Sequence, residues 1–255
     1  MKANMNLFKL VPKYLTLIGL DLNKFISLKN FPKFLRDRKK WKSLGGELTH
    51  NHIILSDYGD YAGTSKGHYF HQDLLVASFI FSRNPKKHVD VGSRIDGFVA
   101  HVASFRKIEV LDVRCTPKSQ HKNISFIQAD LMKKVSYKTD SLSCLHAIEH
   151  FGLGRYSDDI DINGHLKGIE NLVGMLKKGG VLYISFPIGA KDEIHFNAHR
   201  VFHPESILDF SIVKKNLTLL RFDFVDDDGN LHKNYTLSNI KNVVYGCGIY
   251  TFEKR

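Results

Sequence analysis

Apolar residues at helical spacing open the chain: Phe8, Val11, Leu15 and Ile18, then Leu22, Phe25 and Ile26, with lysines between them. A basic run from Lys33 to Lys42 follows, carrying Arg36, Arg38, Lys39, Lys40 and Trp41. A segment of this kind either docks its stripe on a core or lies on an anionic membrane surface or acidic partner. A loop rich in Gly and Asp, residues 56–67, separates it from a second pattern. There the spacing predicts a helix over His68–Arg83, with Leu74, Leu75, Ser78, Phe79 and Phe81 forming a broad face. Asn84-Pro85 stops it, because the residue before proline is pushed out of the α region.

From residue 88 the pattern alternates between short buried-type strands and helices. Strands are expected at 88–91, 108–113, 124–128, 142–146 and 181–186, and helices at 98–105 and 165–176. Lys177, Lys178, Gly179 and Gly180 supply a basic last turn and a glycine stop to the second helix. Strand–helix–strand repetition implies parallel pairing with right-handed crossovers. Near the end, 217–225 and 245–252 read as two strands with no clear helix between them, an antiparallel pair at the sheet edge. The expected organisation is a basic helical extension over residues 1–60 and an α/β domain over 61–255.

Charge changes this picture by its position. The net charge is +11, but residues 1–43 hold eleven Lys/Arg against Asp21 and Asp37, while the remainder holds 26 basic against 24 acidic residues. The basicity belongs to the arm and the α/β body is nearly neutral, which makes nucleic acid an improbable partner of that body. Cys115, Cys144 and Cys247 form no C-x-x-C pair or short framework, which excludes a zinc ribbon or disulfide scaffold and points to a reducing compartment. Lys9 and Lys13 interrupt the apolar run of residues 7–20, so no secretion signal is read there. The expected location is cytoplasmic, with peripheral membrane contact through the arm as an option.

The chemistry concentrates in HVDVGSRIDGFVAHV, residues 88–102. A buried strand runs into a glycine turn and then a helix, which presents backbone N–H groups to a ligand at the strand's carboxyl end. A pyrophosphate site wants G-x-G-x-x-G without nearby negative charge, whereas this turn has Gly92 and Gly97 with Asp90 and Asp96 beside them. Two carboxylates repel phosphate and tolerate a ligand carrying an ammonium and a sulfonium, as S-adenosylmethionine (SAM) does. Twenty residues past Gly92, Asp112 ends the second strand, where an acid meets ribose hydroxyls. Eighteen further on, Asp130 ends the third, placed to accept from an adenine amino group with Leu131 beside the ring.

Over residues 88 to about 253 the sequence resembles the class I SAM-dependent methyltransferases. The stretches that carry the resemblance are VDVGSRIDG, VLDV, QADL, DSLSCLHAIEHFG and LKKGGVLYISFP. GHYFHQDL, VDVGSRIDGFVAH and FNAHRVFHP further resemble a methyltransferase-like family of unknown function found beside bacterial surface-polysaccharide genes. The usual glycine motif is D-x-G-x-G-x-G; this chain has Arg94 and Asp96 at the second and third glycine positions and Gly97 one place later. The resemblance implies a Rossmann-like fold with a mostly parallel seven-stranded sheet, an antiparallel C-terminal strand pair and an N-terminal helical extension. It implies SAM as cofactor, held by Asp90, Gly92, Ser93, Arg94, Gly97, Asp112, Asp130, Leu131 and His146. It also implies methyl transfer to a sugar or glycan acceptor in surface-polysaccharide synthesis.

A sugar hydroxyl needs a base beside it, and His has the reference pKa for that work near neutrality. His150 with Glu149 is the first choice and His199 the second; His195 and Arg200 stand near them in sequence. In the long loop 152–165, Asp158, Asp159 and Asp161 offer oxygen ligands to a hard cation or hydrogen bonds to sugar hydroxyls. HAIEH, residues 146–150, matches the H-x-x-E-H pattern of zinc peptidases, but it leaves a strand in the middle of a nucleotide-binding sheet and is read as a cofactor and acceptor loop, with no metal. Two other readings stay open: RNA methylation using the basic arm, and a degenerate SAM fold that binds without turnover.

Overall fold

The computed structural model describes residues 22–115, 118–241 and 243–255, with side chains from residue 25. The chain divides into two units, 1–64 and 65–255. The apolar positions expected at residues 8–18 lie outside the described residues.

In the first unit, helices α1 (Leu22–Ser27) and α2 (Phe31–Ser43) are joined by a 3-10 turn. Pro32 sits in the first turn of α2, where its missing N–H costs nothing. Asn30 Nδ2 donates to the Leu55 carbonyl, Arg38 to Asn51 Oδ1, and Trp41 Nε1 to the Glu47 carbonyl. These bonds fold residues 47–55 back along α2. Phe25, Ile26, Leu28 and Leu35 stand exposed. No helix among the described residues is long and apolar enough to cross a membrane.

The second unit is an α/β domain. Its helices are α3 (His68–Arg83), α4 (Ala100–Ala103), α5 (Gly164–Met175), α6 (Ser206–Asp209) and α7 (Ser211–Asn216). Its main sheet contains β1 (His88–Val91), β2 (Ile108–Asp112), β3 (Ile124–Gln128), β4 (Thr139–Leu145), β5 (Leu176–Ile188), β8 (Leu217–Val225), β9 (Leu231–His232) and β10 (Gly246–Lys254). A separate hairpin is formed by β6 (Glu193–His195) and β7 (His199–Val201). Spatial order is β3-β2-β1-β4-β5-β10-β8-β9. Strands β1 to β5 pair in parallel, and β10 runs antiparallel to both β5 and β8. The expected seven-stranded sheet with its antiparallel C-terminal pair is present, extended at one edge by the two-residue β9.

Alternation along the strands builds a core on each face. Leu142 and Cys144 of β4 join Val89 and Val91 and the apolar side of α5 on one face. Leu145, Val181, Tyr183 and Ile249 meet Val76, Ile80, Phe98 and Val102 beneath α3 and α4 on the other. The sheet order reverses between β1 and β4, and the crevice outside the strands' carboxyl ends at such a switch is where an open α/β sheet takes its ligand.

Two local expectations are corrected. Helix α5 does not stop at Gly179-Gly180: Leu176 is already extended, buried and paired with Thr139, so β5 starts directly after Met175. At the end of α5 the Val173 carbonyl accepts from Lys254 Nζ, which also reaches the Leu176 carbonyl at the start of β5, and the Gly174 carbonyl accepts from Lys138 Nζ, rather than from a lysine of the expected 177–178 pair. The turn after β1 does not run straight into a helix at residue 98. Residues 95–99 form a π-type turn broken at Gly97, whose φ of −123° and ψ of −108° are non-helical.

Candidate functional site

An open cleft lies at the carboxyl ends of β1, β2 and β3. Its lining includes Gly92, Asp112, Asp130, Leu131, His146 and His150. Six of the residues expected to serve cofactor or catalysis therefore share one cavity. Gly92 turns the chain with φ +70°, a left-handed conformation that favours glycine, and a Cβ there would stand 3.0 Å from the Ala147 Cβ. Asp112 receives its own neighbour: Arg114 donates from Nε and Nη2 at 2.8 and 2.6 Å, and the Arg114 N–H adds a third bond. The guanidinium also lies over the Tyr156 ring, 4.6 Å from its centroid. Asp130 accepts from the Met132 N–H and pairs with Lys133 at 3.3 Å.

The remaining cofactor candidates do something else. Asp90 is fully buried and accepts from the Ser93 N–H, the Ser93 hydroxyl and the Ser143 hydroxyl at 3.0, 2.7 and 2.5 Å. It braces the turn from beneath and does not line the cleft. Ser93 spends its hydroxyl on Asp90 and the Leu145 N–H. Arg94 is exposed and pairs with Asp96, so neither reaches the cleft. Gly97 makes room for a carboxylate that sequence reasoning passed over: a Cβ there would lie 2.5 Å from Asp73 Oδ2.

Asp73 and Asp90 belong to a buried polar seam beneath α3. Ser143 donates to Asp90, so its oxygen accepts from His88 Nε2 at 3.1 Å, and His88 Nδ1 accepts from Ser141 at 2.8 Å. Gln72 donates to Asp73 and accepts from Ser185. Burial pushes the carboxyls of both Asp73 and Asp90 up to about 6 and the His88 imidazole down to about 3. The signal available was the alternation of Ser141, Ser143 and Ser185 in strands that are otherwise apolar.

After β4 the HAIEH segment forms a 3-10 turn, Ile148–His150, and its histidines diverge. His146 adopts φ +49° and points Nδ1 at Glu149 Oε1, 2.8 Å away. Glu149 is buried beneath it and does not line the cleft. Burial disfavours the charged His146 ring, but the adjacent Cys247 and Glu149 outweigh this and hold its pKa well above the ordinary value. His150 donates from Nδ1 to the Ala198 carbonyl at 2.7 Å, which leaves Nε2 as the acceptor nitrogen of the neutral ring. Burial lowers its pKa.

His199, the second base candidate, sits on β7 outside the cleft wall, its ring 6.5 Å from that of His150 and 5.1 Å from that of His195. Arg200 is buried and pins the turn after β4 by donating to the carbonyls of Glu149 and Phe151. Its place is structural. The three loop aspartates do not converge. Asp158 accepts from the N–H groups of Gly152, Gly154 and Tyr156, Asp159 faces Lys133, and Asp161 bonds Lys167 and the Asn163 N–H. Each carboxylate is engaged with partners of its own, and the three form no ligand cluster among the described residues.

The sheet order and the cleft at its switch point define a Rossmann-like methyltransferase fold. Residues 98–226 match the profile of the family described as Caenorhabditis protein of unknown function, DUF268, and the chain belongs to that family. No curated protein matches the sequence. Among solved structures, the chain is similar to the N-methyltransferase NodS from Bradyrhizobium japonicum WM9 in complex with S-adenosyl-L-homocysteine. The two are 14% identical over 74% of this chain and 88% of that one, with a TM-score of 0.50. It is equally similar to the [4+2]-cyclase SpnF: 13% identity, 83% and 90% coverage, TM-score 0.50. One fold therefore serves unlike reactions, and the choice among them rests on the site.

Proposed function

We propose that the protein is a SAM-dependent methyltransferase whose acceptor is a hydroxyl, on a sugar or glycan intermediate of surface-polysaccharide synthesis. The observation that carries the cofactor reading is the convergence of the Gly92 bend, Asp112 and Asp130 on one cleft, with Leu131 and Phe151 as apolar walls. The residues fit the nucleoside. Asp112 keeps acceptor capacity for ribose hydroxyls beside its Arg114 bonds, because a carboxylate offers about four lone-pair sites. Asp130 does the same for an exocyclic amine. The carboxylates Asp112, Asp130 and Asp158 around the cavity disfavour a pyrophosphate.

SAM supplies an electrophilic methyl group on a good leaving sulfur. What the chain contributes is alignment and removal of one proton. His150 lines the cleft, is neutral at physiological pH through its lowered pKa, and presents Nε2 as a base. The glycan acceptor rests on the sequence resemblance; peripheral membrane contact through the basic arm and a cytoplasmic location belong to the same proposal.

Isothermal titration of the purified protein with SAM and, separately, with NAD tests the cofactor. Saturable binding of SAM alone supports the reading. Binding of NAD alone, or of neither, ends it.

A further inference from the structure

On the far side of His146 from its Glu149 bond, three ligand-type side chains meet: His68 from the first position of α3, His146 from the exit of β4 and Cys247 from β10. Their ligand atoms all lie within 4.8 Å of one another, and they are the one such group among the described residues. We propose that His68, His146 and Cys247 form a mononuclear zinc-type metal site with an open fourth position beside the cleft.

Four observations carry this. The His146 side chain is only 6% exposed, yet its Nε2 has no hydrogen-bond partner. A buried polar nitrogen left without a partner keeps its full desolvation cost, and a metal ion would satisfy it. Its other nitrogen is fixed by a buried carboxylate at 2.8 Å, the carboxylate–histidine arrangement that orients a metal-binding imidazole. His146 is held at φ +49°, an uncommon conformation for a residue other than glycine, which aims the ring into the group. The imidazoles of His68 and His146 lie parallel with centroids 5.4 Å apart, and each has a nitrogen within 4.8 Å of the Cys247 sulfur.

Two nitrogens and a sulfur suit zinc, which takes three protein ligands and keeps a fourth position for water or substrate in its catalytic sites. On binding, the Cys247 thiol proton and the extra proton held on the His146 ring pass to solvent, and both imidazoles contribute lone pairs as neutral rings. Because His146 also lines the cleft, an oxygen taken up at the fourth position would be polarised next to His150. That use rests on the methyl-transfer reading; the metal site does not.

The test uses the full chain, stripped with EDTA and without SAM. Zinc is titrated in competition with a chromophoric chelator, and cobalt(II) is titrated in parallel. One equivalent of tightly held zinc is expected, with proton release. Cobalt should give a thiolate-to-metal charge-transfer band that disappears in Cys247→Ser. Glu149→Gln should weaken zinc about 10- to 100-fold. Cys247 is buried, so His68→Ala, at the half-buried start of α3, is the second variant. It should lose zinc while keeping its circular dichroism. Absence of a tight equivalent, or a charge-transfer band that survives in Cys247→Ser, overturns the site. SAM binding by a chain that takes no zinc sinks this inference alone, and zinc binding by a chain that ignores SAM sinks the cofactor reading alone.

Discussion

A methyl group placed on Gly97 would stand 2.5 Å from Oδ2 of Asp73, a carboxyl buried between α3 and the turn after β1. The glycine therefore serves packing against α3. Gly97→Ala forces the Asp73 side chain to move inside a filled seam, where Gln72 and Ser185 are already committed. The expected cost is about 1–3 kcal/mol, read by urea unfolding. An unchanged midpoint would show that Asp73 swings away freely.

Under the proposed function, nucleoside recognition would depend on Asp112 and Asp130, which line one cleft. Each provides charge-assisted hydrogen bonds of about 1.5–3 kcal/mol, so Asp112→Ala or Asp130→Ala should weaken SAM binding on the order of 10- to 100-fold in calorimetry. Arg94→Ala, by contrast, removes an exposed group paired with Asp96 and should leave that affinity unchanged. If Arg94→Ala proves as damaging as Asp112→Ala, the ligand lies along the other wall of the turn.

Asp73 and Asp90 give the domain an unusual acid-side pH dependence. Burial raises both carboxyls from 3.8 to about 6 in the folded chain. Between those values the folded state binds protons that the unfolded state has released, so stability falls as pH rises from about 4 to 6 and stays reduced above. The size is on the order of 3 kcal/mol for each group. Asp73→Asn should remove part of that slope and unfold at higher urea than the natural chain at pH 7, with the difference vanishing near pH 3.5. A variant weaker than the parent at pH 7 would show that the ionised carboxylate is worth more than its burial costs.

Much of this molecule is legible in sequence, for a physical reason. Strands buried on both faces, such as VLYISF, show as unbroken apolar runs, and helix stops such as Asn84-Pro85 act locally. The strand-end acids Asp112 and Asp130 follow from the spacing of β-α-β units. What escaped depends on tertiary juxtaposition. Asp90 reads as a ligand-facing acid and Asp73 draws no reading at all, because only β4 and α3 closing over them buries both. Lys254 caps α5 from across the sheet, seventy-eight residues from Leu176. His68, His146 and Cys247 share no local spacing, and the H-x-x-E-H pattern drew attention to His150 as the partner of His146 when the fold supplies two others.

Under the proposed function, His150 would be the group that takes the acceptor's proton in the cleft. Its Nδ1 proton is committed to the Ala198 carbonyl, and Arg155 donates to the same oxygen at 2.8 Å, which holds the ring and its tautomer. Burial lowers its pKa below the ordinary 6.5, so the basic form persists into mildly acidic solution. With a hydroxyl acceptor, the acid limb of kcat/KM should therefore lie below 6.5. His150→Ala should cost about 10²- to 10⁴-fold in kcat, the range for loss of a general base, with little change in SAM affinity. His199→Ala, removing a ring outside the cleft wall, should cost far less. The reverse ranking would move the base to the β6–β7 hairpin, and equal turnover in both variants would mean that the acceptor arrives needing no base at all.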